Sequence, residues 1–368
     1  MSRLRLLFYP CLLALGAGCG ATSSDDASRW TPGAAGDAGA PASNAGEPGG
    51  TNGSAASGAG GSPSGAGGSD APGCEGERCT IAVAVDDEFG SYCATKRDGD
   101  HRCWRDGVAV TSTLPADRYR RVQLASSGLV GLTEDGRVIT APERPFTLTG
   151  IADFRATNMW GYTGICTLSR AGAFEIQLNV DREQLEIDPA FPVHRVIDGS
   201  FSRAVCAFEG LTAGVRADGA LESGITPVPP GTDFTEVALS VQLLCARRAG
   251  GSLHCENGYI EQRCPNPYLP GQCERLPVPS FAGNGWVDVA VTYSVACAMG
   301  AGGELLCLRL DGLEVLRDAG PYAALAAGRH VVCALRRAGT TACFQHENEA
   351  WDYARVTALT PVAVEPGW

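Results

Sequence analysis

The chain is short of positive charge. It carries 29 Lys and Arg against 41 Asp and Glu, a formal net charge of −12 over 368 residues. Nucleic-acid grooves select basic surfaces, and anionic lipid selects polybasic patches, so both partner classes are excluded on charge. The leading apolar run, Leu6 to Leu15, is too short to cross a bilayer as a permanent helix. Histidine is scarce: His101, His194, His254, His330 and His346 form no His-x-x-x-His pair for a metal. Beyond the glycine-rich leading segment there is no Gly-x-Ser-x-Gly elbow, phosphate loop or dinucleotide fingerprint. The Gly-x-Gly strings near the start follow no strand and are compositional. Asp86-Asp87 has the composition of a catalytic dyad, but adjacent carboxylates on a loop read as solvated surface. The sequence therefore assigns no catalytic residue, no cofactor and no metal.

What is present begins with an export signal. Arg3 and Arg5 precede the apolar run, and Gly16-Ala17-Gly18 lead into Cys19. A basic start, a short apolar core and small residues before a cut describe a secretory signal. The cysteine after small residues resembles a lipoprotein signal of bacterial type, which implies lipidation at Cys19 and makes residues 1–18 the removed segment. Gly16 stands where the usual pattern has Leu, and an ordinary signal peptide cut nearby is the alternative. Residues 19–73 are mostly Gly, Ala, Ser, Pro and Asn with few apolar anchors. Such a segment does not offset its ordering entropy and reads as a flexible tether. The expected location is the cell envelope, with a lean towards the outer membrane or cell surface, and membrane association through the lipid anchor only.

Cysteine is the strongest compositional signal. Of 16 cysteines, Cys11 falls in the signal and Cys19 is the lipid site. An even number remains in an exported domain, where disulfides are the natural reading. Four pairs share one frame, with the cysteines ten positions apart and a glycine six positions after the first: Cys93/Gly99/Cys103, Cys245/Gly251/Cys255, Cys297/Gly303/Cys307 and Cys333/Gly339/Cys343. Aligning on the glycine gives seven copies, with Gly136, Gly172 and Gly219 marking the other three at intervals of 32 to 52 residues. A three-residue hairpin loop is a type I turn followed by one residue of positive φ, which glycine supplies. Folding about it sets the two cysteines of a frame opposite each other, within disulfide distance. The frame thus predicts Cys93–Cys103, Cys245–Cys255, Cys297–Cys307 and Cys333–Cys343. Zinc is the rival reading, but paired zinc ligands normally stand two to four residues apart. Cys74–Cys79 is assigned to the start of the domain and Cys264–Cys273 to a closed loop. Cys166–Cys206 then follows by elimination and staples the third copy to the fourth.

A short strand rich in Ala and Val precedes each hairpin, as in Trp286-Val287-Asp288-Val289-Ala290-Val291. Copies of this length with four strands are propeller blades. The run Val287 to Val291, then Cys297-Ala298-Met299, then Gly303-Glu304-Leu305-Leu306-Cys307 resembles an RCC1-like repeat of the exported bacterial kind. Cys103-Trp104 matches the same pattern, and the glycine-rich box that usually follows the tryptophan is missing. The resemblance implies an all-β, seven-bladed RCC1-like β-propeller over residues 74–368. From Thr360-Pro361-Val362-Ala363-Val364 we expect the C-terminal segment to complete the first blade and seal the ring.

Binding determinants are expected on loops. The loops between each blade's first strand and its hairpin hold Phe89, Tyr92, Trp160, Tyr162, Phe201, Tyr293 and His330, and aromatic side chains on rigid loops make interface anchors. The alternative is that these rings fill the core or channel. The insertion from Glu256 to Gly285 adds Tyr259, Tyr268 and the Cys264/Cys273 pair. RCC1-like proteins bind partner proteins through such a face, which implies a non-catalytic module for a protein partner. A surface glycan is the second partner class. A propeller lyase or hydrolase acting on a surface polymer, and a structural surface protein without a specific ligand, are the alternatives to a binding module.

Overall fold

The computed structural model describes residues 76, 79–86, 91–105, 107–125, 128–140, 147–159, 162–179, 194–207, 211–224, 228–257, 262–263, 274–275, 277–346, 356–364 and 368. All of them lie in the compact unit Ala59–Trp368. They form seven antiparallel sheets, one per glycine frame, arranged as the blades of a propeller. Blade 1 contains β1 (Thr80–Val85), β2 (Tyr92–Lys96), β3 (His101–Arg105) and β4 (Val108–Val110). Blade 2 contains β5 (Tyr119–Ala125), β6 (Gly128–Thr133), β7 (Val138–Thr140) and β8 (Thr147–Leu148). Blade 3 contains β9 (Ile151–Met159), β10 (Tyr162–Ser169), β11 (Phe174–Asn179) and β12 (His194–Ile197). Among the described residues blades 4 and 5 have three strands each: β13 (Phe201–Ala207), β14 (Leu211–Arg216) and β15 (Leu221–Ser223), then β16 (Phe234–Leu239), β17 (Leu243–Arg248) and β18 (Leu253–Asn257). A separate ribbon, β19 (Gln262–Arg263) with β20 (Glu274–Arg275), lies in the insertion. Blade 6 contains β21 (Trp286–Val291), β22 (Val295–Gly300), β23 (Leu305–Arg309) and β24 (Glu314–Asp318). Blade 7 contains β25 (Tyr322–Ala327), β26 (Val331–Arg336), β27 (Thr341–Gln345) and β28 (Thr360–Val362).

The hairpin between the second and third strands of each blade is built as the frame requires. Gly303 has φ +90°, and its N–H donates to Gly300 O at 2.8 Å. Cys297 then faces Cys307 across the ladder, as Cys93 faces Cys103, Cys245 faces Cys255 and Cys333 faces Cys343. These four pairs are disulfide-bonded, each with a Cα–Cα distance of 4.0 or 4.1 Å. Val130 opposite Thr140 and Ala213 opposite Ser223 hold the same register without a bridge. A fifth disulfide joins Cys166 in β10 to Cys206 in β13, and so ties blade 3 to blade 4. Cys79 is also disulfide-bonded. Cys19, Cys74 and the Cys264–Cys273 pair lie outside the described residues.

The turn glycine has a second role that its φ alone does not reveal. Its carbonyl accepts the N–H of the residue that opens the next blade's first strand. Ile151 donates to Gly136 at 2.9 Å, Phe201 to Gly172 at 2.8 Å, Phe234 to Gly219 at 3.0 Å, Trp286 to Gly251 at 3.1 Å and Tyr322 to Gly303 at 2.8 Å. A Cβ on Gly303 would stand 2.7 Å from the Tyr322 backbone. One residue type therefore closes the hairpin and lets the next blade approach.

The first strands are innermost, each touching the first strand of the next blade around a closed circuit. Small side chains permit this: Ala82, Ala84, Ala238, Ala290, Ala324 and Ala326 are all buried on these strands. The register slips between the first and third residues of every inner strand, a bulge repeated in each blade.

Ring closure differs from the expectation that the C-terminal segment completes blade 1. Thr360–Val362 is the fourth strand of blade 7, paired with β27. The physical reason is that blade 1 already has its own fourth strand in β4, so no place is left there. Closure is made by packing side by side. Thr80 N donates to Gly339 O at 3.3 Å, repeating the turn-glycine bond across the seam. Val83, Val85, Tyr92 and Trp104 of blade 1 share a core with Ala326, Val331 and Leu335 of blade 7. Trp368 seals that core: it meets Trp104 edge-on at 6.0 Å, and Lys96 Nζ sits 3.7 Å from its ring centre.

Candidate binding surface on the loop face

Each blade presents one end with the glycine turns and an opposite end with the loops joining its first and second strands. Between these ends the inner strands carry a tier of buried charge. The third residue of each inner strand is Ala82, Arg121, Asp153, Arg203, Glu236, Asp288 or Ala324 in ring order. Arg121 Nη1 stands 2.8 Å from Asp153 Oδ1, and the arginine side chain is 3 % exposed. Its guanidinium also lies over Phe154, 4.5 Å from the ring centre. Burial pushes the Arg121 pKa down and the Asp153 pKa up, against the attraction each exerts on the other. Glu236 receives Arg247 at 3.3 Å within its blade and stands 3.9 Å from Arg203 of blade 4. Asp288 accepts the N–H groups of Val289 and of Leu325 in the next blade, both at 2.8 Å. Gln123 of blade 2 bonds backbone groups of blades 1 and 3. Arg155 of blade 3 reaches Ala327 O of blade 7 at 3.1 Å, joining two blades that are not ring neighbours. These side chains are engaged in holding blades together.

At the loop end, three adjacent blades carry the same two-residue connection. Ser240 N donates to Leu243 O at 2.8 Å, Thr292 N to Val295 O at 2.8 Å and Gly328 N to Val331 O at 3.0 Å. The central residues are Val241-Gln242, Tyr293-Ser294 and Arg329-His330, so Val241, Tyr293 and Arg329 occupy equivalent places. Tyr293 is the hub. It packs with Val241 of blade 5 and Leu211 of blade 4 on one side. On the other side the Arg329 guanidinium lies 5.2 Å from its ring centre, and the His330 ring is 6.4 Å away. Tyr293 N donates to Arg329 O at 3.2 Å, linking the two loops directly. His346, at the end of β27, sets its ring 5.0 Å from His330 at 82°. The His330 pKa falls to about 3, first because of burial, then because His346 and Arg329 disfavour a further positive charge.

The aromatic residues singled out from sequence divide accordingly. Tyr293 and His330 meet at the loop end, but Tyr293 is buried there and so is a packing residue rather than an exposed anchor, while His330 is partly exposed. Tyr92 is buried, stacked on Trp104 at 5.2 Å, with its hydroxyl donating to Ala363 O at 3.1 Å. Phe201 does not lie on a loop between a first strand and its hairpin. It opens β13 at the glycine-turn end, buried against Phe174 with Arg216 over its ring. The equivalent positions hold Tyr119, Phe234, Trp286 and Tyr322, so the aromatic at Phe201 belongs to a repeated packing position. Phe89, Trp160, Tyr259 and Tyr268 lie outside the described residues, as does the side chain of Tyr162. Sequence reasoning missed Arg329 and His346. The signal for Arg329 was its alignment with Tyr293 two residues after the end of an inner strand.

Elsewhere, a cavity of about 360 Å³ lies on the outer hairpin of blade 1, lined by His101, Arg102, Ala109, Val110, Thr111 and Ser112. His101 is engaged there, 2.6 Å from Ser112 Oγ and 3.3 Å from Gly99 O. Among the described residues no group of three or more His, Cys, Asp or Glu side chains is placed to hold a metal ion. No helix among them is long and apolar enough to cross a membrane.

No family model matches the chain, and no curated protein matches it. Solved structures do. The β-propeller domain of Myceliophteria thermophila Cps50 (Swd1) is 12 % identical with a TM-score of 0.48, covering 72 % of this chain and 96 % of that one. BBS1N, solved in complex with ARL6DN, is 13 % identical with a TM-score of 0.44, covering 78 % of this chain and 99 % of that one. BamB from Moraxella catarrhalis is 12 % identical with a TM-score of 0.39, covering 73 % of this chain and 83 % of that one.

Proposed function

We propose that this chain is an exported, membrane-tethered, RCC1-like propeller that binds a protein partner through the loop face. The observation that carries the reading is the loop cluster in which the buried Val241 and Tyr293 support the partly exposed Arg329. Tyr293 bridges the loops of neighbouring blades and holds Arg329 and His330 in fixed positions at partly exposed sites. A surface held rigid before contact loses little ordering entropy on binding. Five disulfides within and between blades support an oxidising, extracytoplasmic setting. The export signal, lipidation at Cys19 and the tether over residues 19–73 rest on the sequence pattern.

The test is affinity capture from envelope extracts with three versions of the full chain. One is wild type, one carries Arg329→Ala with His330→Ala, and one carries Glu134→Ala on the opposite, glycine-turn end. The loop-cluster version should lose a protein that the other two retain, at an unchanged melting temperature. Equal recovery of every captured protein by all three would reject the loop face as the binding surface.

A further inference from the structure

The third strand of blade 1 opens on a histidine. The other blades place Val138, Phe174, Leu221, Leu253, Leu305 and Thr341 there, so the blade pattern does not call for His101. Its contacts fix its tautomer. Nδ1 lies 3.3 Å from Gly99 O, and a carbonyl only accepts, so the ring proton sits on Nδ1. Nε2 then offers a lone pair, and Ser112 Oγ stands 2.6 Å from it. Ser112 Oγ accepts the Leu114 N–H at 3.4 Å, which leaves its own proton directed at Nε2. Tyr119 of blade 2 anchors both partners. Its ring meets the His101 ring edge-on at 5.3 Å, and its hydroxyl donates at 2.8 Å to Pro115 O in the loop that carries Ser112. Ser112 is exposed and His101 is half-buried, and both line the open cavity of about 360 Å³ beside β4.

We infer that Ser112 is an acyl-accepting nucleophile with His101 as its general base, and that the cavity takes a small carboxylic ester. A serine hydroxyl within hydrogen-bond reach of a base, itself oriented by a third group, is the arrangement that activates serine. The Gly99 carbonyl is the third group: it holds the ring and faces the Nδ1–H of the imidazolium as that forms. Ser112 Oγ bonds to the ester carbonyl carbon while its proton passes to Nε2. The bond from that carbon to the alcohol oxygen then breaks, and the departing oxygen takes the proton from Nε2. Water attacks the acyl-serine in the same way, which releases the carboxylic acid and restores the Ser112 hydroxyl. A volume of about 360 Å³ is at the small end for ligand sites, so a short acyl group fits. These contacts assign no donor to the oxyanion, and such a donor is worth about 10²–10³ in rate. The expected event is therefore acylation with slow turnover. The site lies on the outer hairpin of blade 1 and is independent of the loop-face reading.

The experiment incubates the full chain with p-nitrophenyl acetate at neutral pH. It follows release of p-nitrophenolate and locates the acetyl group by tandem mass spectrometry of peptides. Wild type should release a stoichiometric burst and carry the acetyl group on Ser112. Ser112→Ala should abolish the burst. His101→Gln removes the base and should slow acetylation of Ser112 by about a hundredfold or more. Thr113→Ala alters the neighbouring exposed hydroxyl and should match wild type. The acetyl position on wild type keeps the test decisive even where a variant folds poorly. The inference is overturned if wild type carries no acetyl group on Ser112, or if the burst survives Ser112→Ala. It is also overturned if folded His101→Gln is acetylated at Ser112 at the wild-type rate, which would leave the pair as a cap on its loop and nothing more.

Discussion

Replacing Asp153 with alanine tests the buried charge tier. The variant leaves the Arg121 guanidinium in place, 97 % covered if its 3 % exposure is unchanged, and takes away the carboxylate 2.8 Å from it. Breaking a buried pair by removing one partner costs about 3–5 kcal/mol, because the remaining charge is neither solvated nor matched. That is a large share of the roughly 5–15 kcal/mol by which a domain is normally stable. Neighbouring groups do not compensate: Arg155 and Arg120 act on Arg121 with the same sign, and the Phe154 N–H, which donates to Asp153 Oδ1 at 2.8 Å, also loses its acceptor. Arg121→Met combined with Asp153→Leu removes both charges and keeps the volume. It should fold with stability close to that of wild type or above it. The assay is equilibrium unfolding in denaturant with the disulfides intact, with both single variants completing a double-mutant cycle. A loss below about 1 kcal/mol for Asp153→Ala would refute the reasoning, because it would place the pair in the range of solvent-screened surface bridges.

Other perturbations isolate other features. Gly303→Ala combines φ +90° with a 2.7 Å approach to the Tyr322 backbone, whereas Gly250→Ala meets nothing within 4 Å. Thermal melting should show the first destabilised by on the order of 2 kcal/mol or more and the second nearly unchanged. Replacing Cys166 and Cys206 with alanine opens a loop of 40 residues, against 10 for Cys297 and Cys307. By chain entropy these cost roughly 3.9 and roughly 2.7 kcal/mol, so the inter-blade variant should melt lower. His330, lowered to about 3 in the fold, has an ordinary pKa of about 6.5 when unfolded. Between those values the unfolded chain binds the extra proton, so stability should fall as pH drops from about 6.5 towards about 3. His330→Gln should flatten that part of the denaturation-midpoint profile.

The parts of the fold legible in sequence are those set by local chemistry. A glycine of positive φ and cysteines ten residues apart define a hairpin without reference to the rest of the chain. The four bridges within hairpins therefore follow from spacing, while Cys166–Cys206 depends on which blades are neighbours and is reached only by elimination. The C-terminal pattern specifies an outer strand but not which sheet accepts it. That choice is made by β4, which already occupies the edge of blade 1. Aromatic character does not distinguish the two ends of an inner strand, so the sequence pattern alone places Phe201 on a loop. Its neighbours in the alignment, Tyr119, Phe234 and Tyr322, mark the glycine-turn end. The loop cluster around Tyr293 was half legible. Tyr293 and His330 stand out as residues, but their meeting with Arg329 and His346 requires blades 6 and 7 to be side by side.

The bridge from Cys166 to Cys206 makes the chain tolerant of a break. The segment 180–193, acidic and free of cysteine, runs between β11 and β12, after the first of these cysteines and before the second. Cleavage there would sever the backbone within blade 3, yet the two polypeptides would remain one covalent molecule. Blade 7 would still meet blade 1 at the opposite side of the circuit. A protease that cuts there can therefore convert the protein to a two-chain form of unchanged mass on a non-reducing gel, apart from the water added, and the two chains part only after reduction.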